Sequence, residues 1–201
     1  MQFDDVDELF EFMGRMMRSP SPEATPLSEL DHALQCAAEL ERRRPEDVEL
    51  QLAGLVHDIA RGTGPAADHG RRGADAVRPV LGARVAALVE AHIPAKRYLI
   101  ATDPSYRAAL SPVAAETLAA QGGAFGPEEV AAFEALPYWR GAAELRRRQA
   151  GQGARPRRAG ARPLDHGPAR LQRAPYGSAA AARVRARRRR AGARARALAL
   201  E

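Results

Sequence analysis

The sequence predicts an all-α protein. Ala and Leu dominate its apolar residues, and only 5% of the chain is aromatic, a balance that favours helices. Apolar residues recur at i, i+3, i+4 and i+7 in several stretches, and no segment alternates convincingly with a period of two. With 201 residues and 45% hydrophobic content, one domain with a core is expected, with a tail to spare.

The elements follow in order. Phe3, Val6, Leu9, Phe10, Phe12 and Met13 give residues 2–17 an apolar face with acids opposite. Residues 18–26 are rich in Ser and Pro and read as a linker. Ser28 suits the N-cap of the next helix, whose stripe is Leu30, Leu34, Ala37 and Ala38. Pro45 is expected at the first position of a third helix, with Glu46 and Asp47 in its first turn and His57-Asp58 at its end. Gly62, Gly64 and Pro65 make a loop. A helix from Asp68 or His69 runs to about Leu81, and Val85, Leu88, Val89 and His92 mark the next. Pro94 should bend or end it, because proline disfavours helical geometry in the residue before it. Ser111-Pro112 and Gly126-Pro127 open two further helices, and a last one runs from about Trp139 through Leu145.

Charge divides the chain. Residues 145–201 hold 17 Arg and two acids, whereas residues 1–144 hold 14 basic and 23 acidic residues. The basic tail, residues 149–201, has no apolar period and cannot bury enough apolar surface to order itself, so it is expected to be mostly disordered. Through phosphate contacts it could hold nucleic acid. Cys36 is the single cysteine, which excludes an intramolecular disulfide and suggests a reducing compartment. No run of 18 apolar residues suggests a membrane span, and the acidic N-terminus lacks a secretory n-region. A cytoplasmic protein is expected.

Four of the five histidines point to a site. His32, His57, His69 and His92 fall on successive helices, and Asp58 adjoins His57. Imidazoles and a carboxylate suit Fe, Mn, Zn, Co or Ni. His32, His57 and Asp58 can form one metal site. His69 and His92 can form a second that shares Asp58. Lys96, the single lysine, lies four residues past His92, one helical turn on, and is a natural partner for an anion.

Beyond the His-Asp pair, the segments Leu30–Cys36, Leu55–Ile59, His92–Leu99, Asp103–Tyr106, Leu110–Pro112, Gln121–Gly123 and Glu128–Leu136 resemble the HD-domain superfamily of helical metal-dependent phosphohydrolases and oxygenases. The likeness is closer to the branch associated with phosphonate degradation, which includes di-iron oxygenases, and it covers residues 27–145. It implies a helical bundle of about six to eight helices over residues 1–148. It further implies two Fe ions, one on His32, His57 and Asp58 and the other on His69, His92 and Asp58. Lys96 resembles the lysine that holds the phosphonate, and Ser111 and Gln121 are implied substrate contacts, although Ser111 is equally explained as a helix cap. The implied activity is O₂-dependent cleavage of a carbon–phosphorus bond in a small phosphonate, with Asp58 and Lys96 at its centre. The other activity within the superfamily is hydrolysis of a phosphate ester, in which a metal-activated water attacks phosphorus and Asp58 orients it.

Three positions depart from the family pattern. Arg61 stands where a second histidine follows the His-Asp. It can hold an oxyanion in bidentate fashion, which makes it a candidate for substrate binding, but it cannot accept a proton as histidine does. The tyrosine and glutamate that precede the first histidine in the oxygenases are replaced by the Ser/Pro stretch, with Glu23. The aspartate that follows the last Arg-rich helix is missing, since no acid occurs between Glu144 and Asp165. The break in composition at the same place suggests a shift of reading frame near Arg147 and, with it, a chain weakened or inactivated at one metal. Asp165-His166 is the pair in the tail that would have to substitute.

Overall fold

In a computed structural model of the chain, residues 1–16, 28–110 and 112–150 are described. They form nine α-helices and one 3-10 turn, and no strand lies among them. The helices are α1 (Val6–Met16), α2 (Glu29–Arg43), α3 (Val48–Val56), α4 (His69–Leu81), α5 (Ala83–Thr102), α6 (Pro104–Ala108), α7 (Pro112–Ala120), α8 (Pro127–Glu134) and α9 (Trp139–Ala150), with the 3-10 turn at Ala66–Asp68. The linker over residues 18–26, Ser111 and the tail from residue 151 lie outside the described residues. α9 extends two residues into the stretch assigned to the tail.

α5 is the axis of the bundle. Val85, Ala86, Leu88, Val89, His92, Ala95, Lys96, Tyr98, Leu99 and Ile100 are all buried on it. It packs against α3, α4, α6, α8 and α9, while α2 packs on α3 and α9, and α1 on α2. A helix buried on so many sides must be apolar nearly all round, which makes the two buried polar groups His92 and Lys96 conspicuous. Tyr98, Phe125, Phe133 and Trp139 form an aromatic cluster that fastens α8 and α9 to α5, with ring centroids 5.0–6.5 Å apart.

Two expected helix boundaries are corrected. Pro45 and Glu46 form a turn, and Asp47 is the N-cap of α3, its side chain accepting from the Leu50 N–H. Asp47 is the better start because its carboxylate satisfies a helix-end donor and pairs with Arg84 at 2.6 Å. Pro94 does not end its helix, since α5 continues past it to Thr102. The burial of Ala95, Lys96, Tyr98, Leu99 and Ile100 outweighs one lost helical hydrogen bond. The short α6 was not expected. Asp103 caps it, accepting from Ser105 and Tyr106. Ser28 caps α2 as expected, in a capping box with Asp31.

Helices α2 and α3 meet at Gly54. A Cβ there would lie 2.5 Å from Leu40 Cδ1 and 3.4 Å from Cys36 Sγ. Gly54→Ala should therefore cost about 1–3 kcal/mol through overpacking. Gly14→Ala on α1, where a Cβ meets nothing within 4 Å, should instead add about 0.5–1 kcal/mol. Urea unfolding midpoints of the two variants check this; a wild-type midpoint for Gly54→Ala would dismiss the close approach.

Candidate metal centre

The centre lies where the end of α3 meets α2, α4 and α5. α3 stops at Val56, with His57 as its C-cap. Tight turns follow, with Ile59, Arg61 and Thr63 N–H groups donating to the carbonyls of Val56, Asp58 and Ala60. The turns leave His57 Nε2 only 3.1 Å from Asp58 Oδ2. His32 on α2 brings its Nε2 to 3.2 Å from His57 Nε2 and 4.0 Å from Asp58 Oδ2. On the other side, His69 Nε2 is 3.1 Å from Asp58 Oδ1 and 3.0 Å from His92 Nε2. His92 Nε2 is 3.6 Å from Asp58 Oδ1.

Two triads of ligand atoms thus share one carboxylate: His32, His57 and Asp58, and Asp58, His69 and His92, each within 4.8 Å. Each oxygen of Asp58 faces one triad. Two of the imidazoles are oriented from behind. His57 Nδ1 donates to the Gly54 carbonyl at 2.8 Å, and His92 Nδ1 to the Val89 carbonyl at 2.5 Å. These bonds leave the Nε2 lone pairs turned inward, as metal ligation needs. Lone pairs on facing nitrogens repel unless a cation or proton lies among them, so the donor set fits a metal. Gly70 admits the approach of α4 to α5, because a Cβ there would lie 3.2–3.3 Å from the carbonyls of Glu90 and Val89 and from His92 Cε1.

Electrostatics points the same way. Burial pushes His32 down to about 4, helped by His57 and, more weakly, by Arg61 and Arg146 against the opposing pull of Asp58. Burial also holds His92 well below its usual range. Burial works to raise the Asp58 carboxyl, but His57, His69 and Arg61 hold it well below the usual carboxylate range. At neutral pH the centre therefore presents neutral imidazoles at His32 and His92 and an ionised carboxylate.

The remaining expected site residues fall as follows. Arg61 donates from Nη1 to Asp58 Oδ2 at 3.1 Å and lies 3.8 Å from Glu29 Oε2. Lys96 is buried, one turn past His92 on α5, and donates to Gln121 Oε1 at 3.0 Å and to Thr117 Oγ1 at 2.7 Å. Gln121 is thus brought to Lys96. Ser111, Glu23, Asp165 and His166 lie outside the described residues. Sequence reasoning missed Thr117, although it stands four residues, about one helical turn, before Gln121. It also missed Glu29, which is three residues before His32 and lines an opening beside Asp58 with Met13, Leu30, Ala33, Leu55 and Ile59.

Because folded His32 titrates near 4, below its ordinary 6.5, the unfolded chain takes up that proton first as pH falls. The stability this histidine contributes is full above about pH 6.5 and is lost towards pH 4. Urea midpoints of metal-free protein should fall across this window, and less steeply in His32→Gln; identical pH slopes would refute the assignment.

An HD-domain family model matches residues 27–120. The chain is 33% identical over 153 residues to hydroxymethylphosphonate dioxygenase of Gimesia maris, an alignment covering 71% of this chain and 75% of that protein. It is 32% identical over 143 residues to the glycine-betaine-forming [1-hydroxy-2-(trimethylamino)ethyl]phosphonate dioxygenase of Leisingera caerulea, covering 64% and 72%. The chain belongs to the HD-domain superfamily, on the branch that holds these phosphonate dioxygenases.

Proposed function

We propose that the protein is an iron-dependent enzyme that uses O₂ to cleave the carbon–phosphorus bond of a small hydroxylated phosphonate. The observation that carries this reading is the convergence of four imidazole Nε2 atoms on the two oxygens of Asp58, one turn of α5 away from a buried lysine. His32 and His57 would hold one ion and His69 and His92 the other, with Asp58 shared between them. Iron held there would supply the redox chemistry with O₂ that breaking a carbon–phosphorus bond requires.

The chain's own residues bind and orient. Lys96 offers a buried positive charge for a phosphonate oxygen, and its two named partners, the Thr117 hydroxyl and the Gln121 amide oxygen, are neutral. These two contacts hold the ammonium in place by hydrogen bonds to neutral oxygens. The Gly54 and Val89 carbonyls hold His57 and His92 in the tautomer that ligates. Arg61, on Asp58 Oδ2, favours the ionised carboxylate and would offer a further donor to a substrate oxygen. The relatives, both phosphonate dioxygenases, support the choice of a phosphonate over a phosphate ester.

Phosphate release from hydroxymethylphosphonate by the Fe(II)-loaded protein, with and without O₂, tests the proposal. Release only with O₂ is expected. Equal release under anaerobic conditions would replace it with hydrolysis. Lys96→Met should lower kcat/KM by about 10- to 100-fold, the worth of one charge-assisted hydrogen bond, with the metal content unchanged.

A further inference from the structure

Lys96 and Arg97 are adjacent on α5, and both hold the C-terminal end of α7. Lys96 does so through the Thr117 and Gln121 side chains. Arg97 does so through the backbone that follows. Gln121-Gly122-Gly123 closes α7, with the Gly123 N–H donating to the Leu118 carbonyl at 3.0 Å and the Gly122 N–H to the Ala119 carbonyl at 3.2 Å. This is a Schellman cap, and Gly122 carries the left-handed φ of +93° that it requires. Arg97 Nε donates to the Gly123 carbonyl at 2.9 Å, and its Nη2 to the Gly122 carbonyl at 3.0 Å and to Glu129 Oε1 at 2.8 Å. The guanidinium also lies over the Phe125 ring, 4.4 Å from its centroid, and the Arg97 carbonyl accepts from the Phe125 N–H at 3.4 Å. The other oxygen of Glu129 accepts from the Gly126 N–H at 2.9 Å.

We infer that Arg97 is a positioning residue for the anion seat: it fixes the Gln121–Gly123 cap against α5 and so sets the Gln121 amide on the Lys96 ammonium. The inference rests on the reading of Lys96 as that seat. Lysine is a point charge on a flexible stem. Whatever freedom its ammonium keeps must be given up when an anion binds, and that cost comes off the affinity. Gln121 removes part of this freedom only while its own backbone is held. Gln121 is the last residue before the Gly-Gly pair, where the chain is intrinsically loose, and Arg97 supplies the restraint. A planar fork that serves two carbonyls and a carboxylate at once is not replaced by an ammonium.

The test uses full-length, metal-loaded protein with inorganic phosphate as the probe, titrated by calorimetry, alongside KM and kcat for hydroxymethylphosphonate. Arg97→Ala should weaken phosphate binding and raise KM by about tenfold, the loss of one ordered hydrogen bond to a charged group. Metal content should be unchanged and kcat should hold within about twofold. Arg97→Lys should recover little. Wild-type phosphate affinity in Arg97→Ala, or a joint fall of kcat and metal content, would overturn the inference. Should that variant not fold, Glu129→Gln removes one partner of the guanidinium and should weaken phosphate binding about threefold; no change there would overturn it equally. Lys96→Met is the reference. If it binds phosphate as the wild type does, the seat is wrong and the inference falls with it. If phosphate binding depends on Lys96 and Arg97 while hydroxymethylphosphonate is not turned over, the proposed reaction fails and the positioning role stands.

Discussion

One carboxylate sets the terms for the centre. Asp58 places each of its oxygens against a different group of imidazoles, so α2 and the end of α3 on one side, and α4 and α5 on the other, are related through a single side chain. A buried carboxylate is costly unless it is paired and hydrogen-bonded. Arg61 donates to its Oδ2, and a cation or proton held between the carboxylate and the facing Nε2 atoms of His57 and His69 would meet the rest of that need. The bundle has to hold four helix segments in register for those contacts to exist. Gly54 and Gly70 mark two of the places where helices come closest to allow it.

The bundle meets the demand by dividing labour along α5. Its first half contributes His92, oriented by the Val89 carbonyl of the preceding turn. Its second half contributes Lys96, oriented by α7, and Arg97, which holds the cap of α7. Because α5 is buried on most sides, the spacing between the ligand cluster and the lysine is fixed by one rigid element rather than by a loop. Under the proposed reading, this spacing would suit a two-ended substrate, with one end at a metal and the other at the Lys96 ammonium.

Much of this was legible in the sequence, for physical reasons that differ by residue. Histidines are few, so four of them on successive apolar stripes stand out, and the all-helical class follows from Ala- and Leu-rich periodicity. Ser28 announces a helix start through its own side-chain chemistry. Pro45 as a helix start and Pro94 as a helix end misled because proline's local preference is worth only about 3 kcal/mol. The Asp47 cap and the burial along α5 outweigh it. Glu29, Thr117 and Arg97 were missed for another reason: each matters through a contact with a residue at least 21 positions away along the chain, and no local pattern reports such a contact. Arg61 was noted as a departure from the family pattern, but only the fold reveals that its guanidinium sits on Asp58.

The claim on which the rest depends is that Asp58 is shared by two metal positions. Metal analysis of the Fe(II)-reconstituted wild type, Asp58→Ala and His69→Ala tests it most directly. Two ions per chain in the wild type, one in His69→Ala and none in Asp58→Ala is the predicted result. An Asp58→Ala protein that folds and retains one or both ions would contradict it.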